Sequence, residues 1–234
     1  FIVKKILEVE KNMKKKLYDR EVNFFKERKF TKFGPISNYK FFNDPQYLIF
    51  QLSRYKHICR LFDDKTSCLE VGCGDGIGLP ILSFYYKDVM ATDISNKFIK
   101  YAKILNKYKK NIKYLNNDFV KGPIKLKTKY DIATCFDVIS SISKKNENTF
   151  IKNIIQNIKL DGSLIVGTMN KLSISYSKKD SLLGQKNFKT YDEIKKLLRN
   201  YFKTVVVLSV NDETIHTGKR ENANYFIAIG FIKK

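Results

Sequence analysis

Hydrophobic positions change their spacing along this chain. Residues 1–66 carry helix-spaced apolar positions in two stretches, ILEVEKNMKKKLYDREVNFFKERKF and QYLIFQLSRYKHICRLF. Between them FGPISNYKFFNDPQ breaks the pattern with Gly34, Pro35 and Pro45. In the second stretch Leu48, Leu52, Tyr55, Cys59 and Phe62 recur at spacings of three and four, a single stripe suited to pack against a domain body or a partner. The expected organisation is an N-terminal helical extension over residues 1–66 followed by a body over 67–234.

Within the body, short strand-length apolar runs alternate with longer helical patterns. Cys68–Val71, Asp88–Thr92, Ile112–Leu115, Ile132–Phe136 and Leu164–Thr168 read as strands. Leu79–Tyr86, Asn96–Tyr108, a segment near Gly122 and Asn146–Ile158 read as the helices between them. That alternation predicts parallel strands joined by crossover helices, with a ligand crevice beyond the strands' C-terminal ends. The tail departs from it. After TYDEIKKLLRNYF, the runs TVVVLSV and YFIAIGFI are separated by NDETIHTGKRENAN, which holds no helix-length apolar pattern. A hairpin connection follows, so the last strand should run antiparallel to the rest. The fold class is α/β, with a mostly parallel seven-stranded sheet and an antiparallel last strand.

Chemistry concentrates just after the first strand, in LEVGCGDGIG. Glycines at 72, 74, 76 and 78 stand between a strand and a helix, where they permit a tight turn and a close approach of backbone to a ligand. The dinucleotide fingerprint G-x-G-x-x-G is incomplete in either frame, because Ile77 or Leu79 occupies the last position. No Gly-Lys-Ser/Thr follows, which argues against a nucleoside triphosphatase built on this loop. Asp93 ends the second strand 21 residues after Gly72, where a carboxylate can accept hydrogen bonds from both hydroxyls of a ribose. The ligand class is therefore a nucleoside.

Composition narrows this only a little. No run approaches the roughly 18 residues a membrane helix needs, so a soluble, cytoplasmic protein without membrane insertion is expected. The four cysteines lack paired short spacing and there are two histidines, so neither a disulfide scaffold nor a metal site is suggested. The net charge of +22 invites a polyanionic partner. Only six of the 45 basic residues are Arg, however, and the excess of Lys and Asn fits a general bias and a solvated face as well as it fits RNA.

LEVGCGDGIG, followed in order by VMATDIS, YLNNDF and YDIATCFDVISSI, resembles the class I S-adenosylmethionine-dependent methyltransferases over about residues 65–170. The resemblance implies a Rossmann-like fold with S-adenosylmethionine as cofactor. It assigns Glu70 to the methionyl amine, the backbone of Gly72, Gly74 and Gly76 to the methionyl part and ribose, and Asp93 to the ribose hydroxyls. By the same resemblance Ile94 would pack on the adenine, Asp118 would meet the adenine amino group with Phe119 beside the ring, and Asp137 would line the methionyl and substrate end. The N-terminal helices would then cover the active site.

Methyl transfer from a sulfonium needs alignment and exclusion of water, and a base only when the acceptor carries a proton to be removed. His216 is the candidate base, with Asp212 or Glu213 to orient it. His57 reads as structural, or at most as part of a lid. The outer segments, with Arg54, Tyr55, Asp212, Glu213, His216 and Tyr225, resemble a bacterial subgroup associated with carbohydrate or small-metabolite methylation, which places Tyr55 and Glu213 with His216 and Asp137 as catalytic candidates. A small acceptor such as a sugar or nucleotide-sugar, methylated on oxygen or nitrogen, is favoured. An RNA or mRNA-cap methyltransferase, supported by Lys100, Lys103, Lys107, Lys109 and Lys110, is the competing reading, and a noncatalytic S-adenosylmethionine-binding protein a third. A homo-oligomer stays open because the apolar stripe on residues 48–62 has two ways to be buried.

Overall fold

The computed structural model describes residues 2–28, 32–177, 182, 184–218 and 220–234. Lys29 and Phe30, at the end of the first predicted helix, lie outside the described residues. The chain divides into two compact units, Phe1–Lys32 and Phe33–Lys234. The first unit holds α1 (Ile2–Arg28), a single helix. Among the described residues no helix is long and apolar enough to cross a membrane.

The second unit begins with α2 (Pro35–Asn43) and α3 (Pro45–Leu61), each opened by a proline in its first turn, where the missing N–H costs nothing. Residues 33–66 were expected to belong to a separate extension, and they instead form part of the body's compact unit. The stripe on α3 explains this: Leu48, Tyr55, Cys59 and Phe62 are buried, and Tyr55, Cys59 and Phe62 join the same apolar cluster as Cys68, Val89 and Ile132 of the sheet. The stripe is thus covered by its own chain.

The sheet is built from β1 (Ser67–Val71), β2 (Asp88–Asp93), β3 (Ile112–Asn116), β4 (Tyr130–Phe136), β5 (Ile158–Met169), β6 (Phe202–Asn211), β7 (Thr214–His216) and β8 (Tyr225–Lys233). Their order is β3-β2-β1-β4-β5-β8-β6-β7. The first five run parallel, and β8 pairs antiparallel with both β5 and β6. The expected antiparallel last strand is present. The sheet has eight strands rather than seven because the polar connection after β6 folds back as β7 on the sheet's edge.

Helices α4 (Leu79–Tyr85), α5 (Asn96–Leu105) and α6 (Glu147–Ile155) connect parallel strands, and α7 (Tyr191–Arg199) precedes β6. The ends of these helices are specified locally. Ser95 Oγ accepts the Phe98 N–H at the start of α5, and Thr190 and Glu193 form a reciprocal capping box on α7. The helix expected near Gly122 does not form; residues 117–129 are loop and turn, since Pro123 and the polar residues around it give no apolar face.

Alternation along the strands sorts side chains between two apolar layers. Leu69, Val71, Ala133 and Cys135 face the layer that holds α6 and α7 residues. Cys68 and Ile132 face the α3, α4 and α5 layer, and by the same alternation so do Glu70 and Thr134. The chain leaves β1 toward β2 and β3 on one side and later returns to β4 on the other. That reversal opens a crevice above the adjacent tips of β1 and β4.

Candidate active site

A cavity of about 400 Å³ occupies that crevice, within the range of roughly 300–1,000 Å³ usual for small-ligand sites. Its floor is the tips of β1, β2, β3 and β4; its other wall is Ile36 of α2 with Tyr47, Gln51 and Tyr55 of α3.

The turn after β1 is forced by glycine at three places. Gly72, Gly74 and Gly76 have φ of +76°, +54° and +87°, the left-handed region that L side chains rarely enter. At Gly72 a Cβ would also lie 2.2 Å from Cγ2 of Val138, across the cavity floor. The N–H groups of Gly72 and Cys73 both donate to Thr92 O, which ties the turn to β2. Asp93, at the tip of β2, accepts the Gly74 N–H at 2.9 Å on Oδ2 and the Ser95 N–H at 2.8 Å on Oδ1. Burial pushes its carboxyl upward while those two donors hold it down. Each oxygen keeps a further lone pair for a ligand hydroxyl.

Ile94, Asp118 and Phe119 line the same end of the cavity. Phe119 is buried and meets Phe150 edge-on at 6.4 Å, so its ring serves the core and the cavity wall together. Oδ1 of Asp118 accepts the Val120 N–H at 2.9 Å, closing a local turn.

Asp137, just after β4, lies at the other end with φ +62°. Its Oδ2 receives Nη1 of Arg54 at 3.4 Å and the hydroxyl of Tyr47 at 3.5 Å. The Arg54 guanidinium in turn lies over the Tyr225 ring, 3.6 Å from its centroid. Tyr47 is driven upward, chiefly by the Asp137 charge and then by burial, so its hydroxyl is a donor across the physiological range.

Glu70 is buried beneath the turn rather than among the cavity-lining residues. Parallel pairing places Thr134 beside it, and the Thr134 hydroxyl donates to Oε2 while the Tyr55 hydroxyl donates to Oε1 at 2.6 Å. Burial raises its pKa to about 8 against the opposing effect of those two hydrogen bonds.

His216 and Glu213, expected near the reacting atoms, do not line the cavity. They belong to the β6–β7 hairpin on the far edge of the sheet, and Nε2 of His216 pairs with Oδ1 of Asn211 at 2.9 Å. A hairpin replaces the loop that would have folded back over the crevice. His57 is also absent from the lining, and burial pulls its pKa down.

Asp75, Tyr47 and Gln51 also line the cavity and were not among the residues expected there. Asp75 sits in the glycine turn and accepts both the Ser37 N–H at 2.7 Å and the Ser37 hydroxyl at 2.8 Å, fixing α2 over the turn. Tyr47, Gln51 and Tyr55 are spaced by four, a polar and aromatic line that meets the apolar stripe of α3 at Tyr55. That spacing was the available signal.

Residues 69–166 match the family described as "Methyltransferase domain". Residues 69–166 form a class I, S-adenosylmethionine-dependent methyltransferase domain. Among curated proteins it resembles the ubiquinone biosynthesis O-methyltransferase of Rickettsia prowazekii, at 31% identity over 120 residues, covering 48% of this chain and 43% of that one. The same-named protein of Rickettsia typhi is 32% identical over 120 residues, covering 48% and 44%. The match thus spans less than half the length of these relatives. The fold is that of the methyltransferase domain of a bacterial CtHen1 (TM-score 0.65, 17% identity, 79% of this chain and 100% of that one). It is also that of the N-methyltransferase NodS from Bradyrhizobium japonicum with S-adenosyl-L-homocysteine (TM-score 0.60, 16% identity, 78% and 87%). The cofactor of a class I methyltransferase domain is S-adenosylmethionine, and this cavity fits it. The turn at Gly72 leaves no room for a side chain, Asp93 retains acceptor capacity, and Ile94 and Phe119 offer apolar surface for a base.

Proposed function

We propose that the protein transfers a methyl group from S-adenosylmethionine to an oxygen or nitrogen of a small acceptor, in the cytoplasm. Bound cofactor supplies an activated methyl carbon on a positively charged sulfur. In this reading Asp93 holds the ribose hydroxyls, Asp118, Ile94 and Phe119 hold the adenine, and the glycine turn takes the methionyl part. Glu70 acts from beneath the turn, keeping Tyr55 and β4 in register. Asp137 sits at the acceptor end, with α2 and α3 as the cover that excludes water.

The observation that carries this reading is the cavity's lining. Asp75, Asp93, Asp118 and Asp137 all face it, and among the described residues no Lys, Arg or His does. A polyanion such as RNA would enter an acidic site, against its own charge. Roofing by Ile36, Tyr47 and Gln51 further favours a small acceptor over a polymer. The basic residues of α5, Lys97, Lys100 and Lys103, lie outside this lining.

Isothermal calorimetry with S-adenosylmethionine tests the reading. Wild type should bind, and Asp93→Ala should lose at least about tenfold in affinity, the worth of two charge-assisted hydrogen bonds. Equal affinity in the two proteins would refute the ribose contact. Methyl transfer that falls steeply with added salt would restore RNA as the acceptor.

A further inference from the structure

The two ends of the cavity differ in what their carboxylates are doing. At the β2 and β3 end, Asp93 and Asp118 are placed for a nucleoside, and Asp75 in the turn has both oxygens engaged by Ser37. Asp137 at the β4 end is left. Arg54 and Tyr47 both contact its Oδ2 and the Tyr225 hydroxyl also interacts with the carboxylate, three donors on a group with about four lone-pair sites, so acceptor capacity remains for a ligand. The Arg54 guanidinium is buried, covered by Tyr225, and not part of the lining, and among the described residues no cationic side chain lines the cavity. Tyr47, Tyr55 and Phe136 supply aromatic walls at this end. Gln51 stands between the two tyrosines on α3, and its Oε1 is buried without a hydrogen-bond partner among the described residues.

Carboxylate, unpartnered amide oxygen and aromatic faces together recognise a donor-rich cation. An ammonium brings three donors and a charge attracted to aromatic faces, whereas a hydroxyl brings one donor and no charge. The proton-accepting groups point the same way. Tyr55 and Cys73 are pushed up by burial and then by neighbouring charge, Tyr47 by the Asp137 charge and then by burial, so all three stay protonated; among the described residues no imidazole lines the cavity. A carboxylate such as Asp137 is a weak base toward an alcohol, whereas an amine needs only a nearby carboxylate and solvent to reach its neutral, nucleophilic form.

Resting on the methyl-transfer reading above, we infer that the acceptor is a small amine, held through its nitrogen by Asp137 on the floor and by Gln51 and Tyr47 on the cover. The ammonium releases one proton by way of Asp137 to solvent. Its nitrogen lone pair forms the new N–C bond as the C–S bond of the donor breaks, the sulfonium becomes a neutral thioether, and the methylated nitrogen carries the positive charge. Asp137 is a binding and proton-accepting group in this scheme, and Arg54 positions it.

The test is calorimetric, on the protein saturated with S-adenosylhomocysteine, with phenethylamine and phenethyl alcohol as a pair matched in shape. Wild type should bind the amine at least about tenfold more tightly than the alcohol, as a charge-assisted contact with an aromatic wall requires. Asp137→Asn, which keeps a residue type tolerant of positive φ, should bring the ratio to within about twofold of unity. The ratio is read rather than either affinity, so a general weakening does not imitate the effect. Gln51→Leu should reduce the ratio by about threefold, and it carries the test if Asp137→Asn shows no thermal stabilisation by S-adenosylhomocysteine and has therefore lost its fold. A wild-type ratio near one, no binding of either probe at millimolar concentration, or a ratio unchanged in the variants overturns the inference. Wild type that does not bind S-adenosylhomocysteine overturns the methyltransferase reading with it, whereas binding of that compound without amine preference overturns the inference alone.

Discussion

Tyr55 on α3 donates a 2.6 Å hydrogen bond to Oε1 of Glu70 at the tip of β1, joining the cover to the strand beneath the glycine turn. Neither residue is close to the other in the chain, and both are buried. The carboxyl is also bonded by Thr134 on the neighbouring strand, so one acidic side chain ties α3, β1 and β4 together.

This arrangement makes stability depend on pH. The folded pKa of Glu70, about 8, lies above its unfolded value near ~4.3, so the folded state binds the proton more tightly. Its contribution is fully present below the unfolded pKa and is lost as pH rises through the folded one. Urea denaturation should show stability declining between about pH 5 and about pH 8, by as much as a few kcal/mol at about 1.4 kcal/mol per pKa unit. Glu70→Gln should flatten that decline. Tyr55→Phe removes a donor to the carboxylate, should cost about 1–3 kcal/mol at neutral pH, and should extend the decline to higher pH. An unchanged slope in Glu70→Gln would show that another group sets it.

Gly72→Ala should be severe. The added methyl group meets Cγ2 of Val138 at 2.2 Å, and the backbone sits at φ +76°. Left-handed strain alone costs about 1–2 kcal/mol. Relieving the overlap displaces Val138 and, with it, the neighbouring Asp137. Thermal melts should show a lowered midpoint, and calorimetry a loss of S-adenosylhomocysteine affinity of at least about tenfold. Gly218→Ala is the control, since a Cβ there meets nothing within 4 Å, and it should melt like wild type.

The contact between Ser37 and Asp75 should couple the cover to the cofactor turn. Ser37→Ala removes the hydroxyl bond and leaves the backbone one, a loss of about 1 kcal/mol. Hydrogen exchange in α2 should accelerate several-fold, and S-adenosylhomocysteine should restore less protection than in wild type. Exchange in α2 that ignores both the substitution and the ligand would remove the helix from the site's cover.

His216→Ala should leave methyl transfer within about twofold of wild type, because the imidazole pairs with Asn211 on the β6–β7 hairpin and does not line the cavity. Single-turnover rates with and without the substitution decide this. A loss of about a hundredfold would bring the hairpin back to the reacting atoms.

The strand and helix alternation, the glycine turn and Asp93 were legible in the sequence because each is written in local terms. Strand-length apolar runs, glycines at left-handed positions and an acid at a strand tip depend on neighbours in the chain. The helix expected near Gly122 and the missing eighth strand fell where the local signal was weak and polar. The placement of His216 was illegible for a different reason: a polar loop has no period from which its direction can be read, and pairing with β6 set it along the sheet edge. Only tertiary structure decided how deeply Glu70 is buried and which groups bond it, since Tyr55 and Thr134 arrive from α3 and β4. The acid at 75 became visible only once α2 was placed over the turn. Sequence alone determined the chemistry of the cofactor. The long-range packing of α2 and α3 decided the shape and charge of the space in which an acceptor must fit, because those side chains converge from positions the chain's own periodicity does not relate.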